Sequence, residues 1–278
     1  QHSESYRKIR NTLRFLLGNI LDDFSLTNFE NFQFESVDIL DSYILHKISQ
    51  LDKTFSQHVN SNQYHKIYVE ILNFCTLDLS SLYFDIRKDC LYCDDKQSLK
   101  RQNCIKVLKT SLYFLLKWLH PILAFTTEEV FQTLRLNKIN PGDTDESIFL
   151  VDFKNINLDE TVKFDQNNWE ILQKVKNDIN LIYEKMRDDK IIKSGLETKI
   201  YVGTTNKFKN IFNEVDLSDF FVCSSVELNN ETKKQELKSL DSINDIQILV
   251  EKAKGIKCER CWKIFENKCE RCFPSPSN

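Results

Sequence analysis

Cys258, Cys261, Cys269 and Cys272 form two identical C-x2-C half-sites separated by seven residues, near the C-terminal end of the 278-residue sequence. Each half-site places two sulfurs on one tight turn, and two such turns facing one another surround a single ion with four thiolates. This is structural-zinc spacing; iron is the leftover possibility, since four cysteines also hold it. A site with four protein ligands has no position for a water, so its role is to hold a fold together and not to catalyse. A tail of about twenty residues cannot build an apolar core, and the metal must supply its folding energy. Cys90 and Cys93 make a third C-x2-C, but no partner pair of matching spacing accompanies it. These two are expected to be buried free thiols at the end of a bundle helix.

The cations come next. Arg7, Arg10 and Arg14 recur at spacings of three and four, with Glu4 the only close acid before them. On a helix they make a cationic stripe that can grip phosphates, or equally a solvated face with ion pairs to its neighbours, and charge alone leaves both open. In the tail, Lys252, Lys254, Lys257, Arg260, Lys263, Lys268 and Arg271 outnumber the acids, and Trp262 sits directly after Cys261. Cations interleaved with an aromatic suit single-stranded RNA, where bases stack and phosphates pair, which makes Arg260, Trp262 and Lys263 candidate contacts. The other role open to Trp262 is to cover the knuckle as a small core. No nucleophile stands beside a base: the histidines at 2, 46, 58, 65 and 120 fall in separate segments, and no Gly-rich phosphate loop is present. No active site is visible.

The elements that must position these residues are mostly helices. Glycine (5) and proline (4) are scarce, which favours long uninterrupted helices over a many-turned β fold. Apolar residues at three-and-four spacing predict helices over residues 3–24, 37–59, 64–75 and 105–119, enough for a bundle. Pro121 stops the last of these, and Thr126 with Glu129 reads as a capping box opening a short helix to about Leu136. Residues 137–145, with Pro141 and Gly142, read as a loop. Trp169 to Arg187 is helical again. Ile200 with Val202, the run Phe220 to Val222, and Ile246 to Val250 read as strands, and Asn229 to Asp241 as an exposed helix or linker.

The expected fold is therefore mainly α. A helical bundle spans 1–154, a small α/β unit spans 155–250, and a four-cysteine module spans 251–278. The net charge of −3 excludes a globally basic nucleic-acid binder but not a local basic face. No run of about 18 apolar residues and no secretory signal is present, so no membrane partner and a cytoplasmic location are expected. The start at Gln1 suggests a fragment or processed form of something longer.

Four stretches carry a family resemblance: SESYRKIRNTLRFLLGN (Ser3 to Asn19), LDLSSLYFDIRKDCLYCD (Leu77 to Asp94), HPILAFTTEEVFQ (His120 to Gln132) and KCERCW (Lys257 to Trp262). Together and in this order they resemble the C-terminal part of bacterial-type isoleucyl-tRNA synthetases, a class I aminoacyl-tRNA synthetase family. The first three also echo the valyl and leucyl enzymes; the last, followed by a second C-x2-C, points to the isoleucyl one. MRDDKIIKSGLE (Met186 to Glu197) resembles the helix-to-strand turn of the family's junction region.

The resemblance implies an anticodon-binding bundle, a junction domain and a zinc-binding tail, with tRNA-Ile as the partner of a monomer. ATP and isoleucine chemistry lies on HIGH and KMSKS motifs upstream in the family. Neither string occurs here, so no activity is expected of the chain alone. The interval between the half-sites is shorter than usual in the family, which questions the RNA contacts of that loop and not the zinc. The rival readings are a stand-alone RNA-binding protein and a zinc-stapled protein-interaction module.

Overall fold

The computed structural model describes residues 2–21, 34, 36–137, 146–154, 156, 158, 163–233, 235–240 and 242–273. The loop expected at 137–145 lies almost entirely outside them. Two compact units are present, one formed by residues 1–85 and 95–164, the other by residues 86–94 and 165–278. The cysteine tail thus belongs with the α/β unit, and so do residues 86–94. Among the described residues, no helix is long and apolar enough to cross a membrane.

The first unit is a helical bundle. Helix α1 (His2–Leu21) buries Ile9, Leu13, Leu16 and Ile20, one face of a 3.6-residue period. Helix α2 (Ile39–Asn60) starts at Asp38, whose carboxylate accepts the Leu40 and Asp41 N–H groups at 3.1 and 3.0 Å and so satisfies two orphan donors. Helix α3 (Tyr64–Asn73) runs on as a π-helical segment, Phe74–Phe84, and then as α4 (Asp85–Cys93). Helix α5 (Leu99–Leu119) is the centre: from Asn103 to Leu119 every residue but Lys106 is buried, and α1 and α2 both pack on it. Its polar groups are satisfied there, with the Lys117 ammonium and Trp118 indole N–H both donating to Asp52, at 3.0 and 2.9 Å.

Helix α6 (Ala124–Leu136) begins earlier than the capping-box reading placed it. Leu123 is its N-cap and makes no side-chain cap. Thr126 lies inside the helix, where its hydroxyl meets the Tyr6 hydroxyl of α1 at 2.9 Å. Glu128, the neighbour of the expected Glu129, instead accepts the Ile148 N–H and Ser147 hydroxyl, at 3.0 and 2.9 Å.

The second unit has a four-stranded sheet of order β2-β1-β4-β3: β1 (Thr198–Thr204), β2 (Ser225–Leu228), β3 (Lys238–Ser239) and β4 (Ile246–Lys252). β1 is parallel to β2 and antiparallel to β4, with Ile200 opposite Val250. Helix α7 (Gln166–Asp188) buries Trp169, Leu172, Val175 and Ile179. Helices α8 (Asn206–Asn213) and α9 (Leu217–Phe220) fill the crossover between β1 and β2. Phe220 to Val222, expected as a strand, is the end of α9 and its cap. An apolar run of three does not distinguish a buried strand from a buried turn; here Phe220 meets the Trp169 ring edge-on at 5.9 Å, and the Phe221 carbonyl accepts the Tyr183 hydroxyl at 3.2 Å. The Asn229 to Asp241 stretch contributes β3 as an edge strand.

Candidate metal centre and nucleic-acid interface

After β4, two short strands, β5 (Ile256–Lys257) and β6 (Ile264–Phe265), pair antiparallel and hold the first cysteine turn between them. Gly255 makes the approach possible: its φ is +135°, and a Cβ there would lie 2.1 Å from the Phe265 carbonyl oxygen. Within the turn, the Cys258 N–H donates to the Lys263 carbonyl and the Trp262 N–H to the Cys258 carbonyl, both at 2.9 Å. The second turn is closed by the Phe273 N–H on the Cys269 carbonyl at 3.0 Å.

Cys258, Cys261, Cys269 and Cys272 are all buried, while Glu259, Arg260, Trp262, Lys268, Glu270 and Arg271 beside them are exposed. In so short a segment, with only Phe265 packed against them as apolar cover, the sulfurs themselves are the interior. A tetrahedral ion about 2.3 Å from each sulfur requires sulfurs about 3.8 Å apart. The Cys261 and Cys269 sulfurs are 3.9 Å apart, and all four lie within 4.8 Å of one another. The donor set fits a structural metal centre. Burial raises the Cys258 thiol, but the Cys261 and Arg260 backbone N–H groups outweigh it and bring the thiol down to about 7. Cys261 and Cys272 are raised, chiefly by burial; a metal ion bound among them would supply the charge that favours their thiolates.

Two cations of the tail pair with acids of the same unit, one of them buried. Lys263 is buried, with its ammonium 2.6 Å from Asp219 and 3.6 Å from Asp89. Burial disfavours the charged form, yet these two carboxylates hold its pKa above the ordinary lysine value. Lys263, read from the sequence as an RNA contact, is therefore corrected to an internal ion-pair partner, because a phosphate cannot reach it. Arg271 donates from one nitrogen, Nη2, to both carboxylate oxygens of Asp89, at 2.8 and 2.7 Å, and its Nη1 reaches Asp94 at 3.3 Å. Arg260 is exposed and donates to the Tyr92 carbonyl at 2.6 Å. Asp89, Tyr92 and Asp94 are on or just past α4, so that helix is the bed of the tail. No spacing rule links residues so far apart in sequence.

Trp262 points out, 61% exposed, and its backbone is left-handed, with φ of +64°. That exposure leaves little room for a role as the knuckle's core. A bulky residue in this region costs about 1–2 kcal/mol, and such strain concentrates where a side chain must be presented.

In the first unit, Arg7, Arg10 and Arg14 are all exposed on α1. Arg10 lies 3.9 Å from Glu129, a pair with both side chains about half or more exposed, so screening leaves it weak. Between α1 and α6 is a groove of about 220 Å³ lined by Arg10, Leu13, Arg14, Leu17 and Thr133 among others. A larger cavity of about 510 Å³ lies at the far end of the sheet from the tail, lined by Thr204, Asn229, Glu231, Asp245 and Gln247 among others. With two carboxylates and no cation, its lining does not suit phosphate. Of the histidines, His46 stacks on Phe164, His58 meets Glu70 at 3.3 Å, and His120 meets the Lys117 carbonyl at 2.8 Å.

The family described as the anticodon-binding domain of tRNA ligase matches residues 41–202. Among curated proteins, the chain is 38% identical over 279 residues to isoleucine–tRNA ligase of Pelagibacter ubique, covering 98% of this chain and 28% of that protein. It is 34% identical to that of Mesoplasma florum, covering 98% and 29%. It is 32% identical to the chloroplastic/mitochondrial isoleucine–tRNA ligase of Arabidopsis thaliana, covering 98% and 27%. The chain spans less than a third of the length of each of these relatives.

Proposed function

We propose that this chain, which belongs to the family of anticodon-binding domains of tRNA ligases, is the tRNA-binding portion of an isoleucine–tRNA ligase and recognises the anticodon arm of tRNA-Ile. The observation that carries the isoleucine assignment is the end-to-end match: 98% of the chain aligns with proteins of that name, the cysteine tail included. The parent reaction joins isoleucine to tRNA at the expense of ATP, and its chemistry belongs to sequence outside this chain. The cytoplasm and a monomeric state are part of the same reading.

In this reading the four cysteines hold one zinc ion, which fastens the two turns together and supplies the tail's folding energy. Arg7, Arg10 and Arg14 contact phosphates of the tRNA. Their exposure and the weakness of the Arg10–Glu129 ion pair support that role. In the tail, Trp262 stacks on an unpaired base, supported by its exposure and its strained backbone, while Arg260 faces the adjacent phosphate. The junction sheet carries the tail through β4 and needs no contact of its own.

Capture of total tRNA by the purified chain, followed by sequencing, tests the proposal. Enrichment of isoleucine acceptors with an affinity that falls steeply with salt is expected, since phosphate contacts release counterions. Enrichment of no tRNA, or equal capture of all of them, overturns the assignment.

A further inference from the structure

We infer that Cys93 is a reserve ligand of the metal centre, a fifth thiol that takes the coordination position of Cys272 when that residue is lost. The inference rests on the reading that the four tail cysteines hold a metal.

Cys93 closes α4, comes from a part of the chain remote in sequence, and is 5% exposed. It shares one buried cluster with the four tail cysteines, with Phe265 as the only apolar side chain packed on it. The other non-ligand cysteines, Cys75, Cys90, Cys104 and Cys223, are buried outside this cluster. What brings Cys93 to this place is the ionic bed beneath the tail. Asp94 follows Cys93, Arg271 precedes Cys272, and these two neighbours pair at 3.3 Å. Arg271 also grips Asp89, one helical turn before Cys93, through both carboxylate oxygens. The two thiol-bearing backbones are thus pinned side by side from both flanks. Arg260 on the Tyr92 carbonyl fixes the first cysteine turn to the same helix end.

The ion accepts four ligands, so in the intact centre Cys93 stays a thiol outside the coordination shell. Zinc imposes no geometry through its d-electrons, and one thiolate replaces another without redox change. In the replacement, Cys93 loses its proton to solvent and forms a metal–sulfur bond. The departing Cys272 thiolate takes up a proton, so charge and atoms balance. Cys93 is in side-chain hydrogen-bond contact with Cys272, which makes that position the one it takes over.

The probe is Co2+ added to the metal-stripped full chain, read by its sulfur-to-cobalt absorption and by competition with a chelator. Wild type and Cys93→Ala are expected to show four-thiolate spectra of equal intensity. Cys272→Ala is expected to keep the four-thiolate spectrum, and Cys93→Ala/Cys272→Ala to lose about a quarter of the intensity, as one of four thiolates goes. Cys258→Ala is expected to show that loss already, unchanged by adding Cys93→Ala. Should Cys272→Ala fail to fold by circular dichroism, the near-isosteric Cys272→Ser is read by the same criterion. A three-thiolate spectrum for the Cys272 single variant, unaltered in the double, overturns the inference and leaves the metal reading standing. A wild-type chain that takes up no Co2+ overturns the metal reading itself, and this inference with it.

Discussion

Replacing Trp262 by glycine separates what the indole does for the knuckle from what it does for RNA. The side chain is 61% exposed, so about two-fifths of its surface, roughly 100 Å² of about 250 Å², is covered. At about 25 cal/mol per Å² that burial contributes at most about 2.5 kcal/mol. Against it stands the left-handed backbone at φ +64°, which costs a bulky residue about 1–2 kcal/mol and glycine almost nothing. The two terms nearly cancel. Trp262→Gly should therefore weaken the folded tail by only about 1 kcal/mol, while Trp262→Ala, which loses the burial and keeps the strain, should weaken it by about 1 kcal/mol more.

For tRNA the expectation is different. A stacked base contributes about 1–3 kcal/mol, so both variants should lose roughly 5- to 150-fold in affinity, and Trp262→Phe should recover part of it. Filter binding at one fixed salt concentration measures the second quantity, and chelator competition for the metal measures the first. If Trp262→Gly binds tRNA like wild type while its metal affinity falls severalfold, the stacking role is refuted. The exposed indole would then be packing whose cover the geometry understates. A glycine variant less stable than the alanine variant would refute the strain argument alone.

Four further expectations follow. Arg10→Glu should weaken tRNA binding and reduce the salt slope by about one unit, with the helical circular dichroism of α1 retained; unchanged affinity would return Arg10 to a solvated face. Purified protein should contain one zinc per chain, and strong chelation should unfold the tail while the bundle, with its own core around α5, stays helical; equal loss of helicity in both units would contradict this. Lys263→Met takes the ammonium away from Asp219, whose side chain is 4% exposed, and should destabilise the second unit by about 3 kcal/mol, with Asp219→Leu added in the double variant restoring much of it. Because the folded pKa of Lys263 is raised above the ordinary 10.5, its stabilisation should be complete below that pH and fade only as pH climbs through the higher folded value; urea titrations from pH 9 upward check the sign.

The helices were legible because burial on one face imposes a period the sequence must keep: Ile9, Leu13, Leu16 and Ile20 are both the pattern and the core. The π-helical segment was not read, although a trace of it exists. Phe74, Leu79 and Phe84 recur at five rather than three and four, and all three are buried. The hydroxyls of Ser80 and Ser81 donate to the carbonyls five residues before them, at 2.7 and 2.8 Å, where α-helical bonding would reach back only four. The capping box misled because Thr126 and Glu129 satisfy its spacing inside a helix that Leu123 starts without a side-chain cap. Spacing rules describe local competition for backbone donors, and here contact with Tyr6 of α1 decided where Thr126 went.

That the four cysteines come together could be read from spacing because two C-x2-C turns are local features, but the allegiance of the cations around them could not. Seven Lys and Arg residues between 252 and 271 look alike in sequence, and their number alone suggested an RNA-facing tail. In the zinc reading four thiolates on a divalent ion leave two negative charges, and Asp89 on α4, Asp94 just past it and Asp219 on α9 add three more. A low-dielectric interior cannot hold that charge uncompensated, so some cations of the tail must pair with these acids. Lys263 and Arg271 are those, and Lys257 meets Glu197 at 3.3 Å. Of the two residues that follow Cys261, then, the lysine two positions on serves the interior and the tryptophan one position on serves the exterior. The left-handed turn at Trp262 separates those directions. In the zinc reading the ion holds the cysteines on either side of that turn, so the presentation of the indole should be lost with the ion even where the rest of the second unit stays folded.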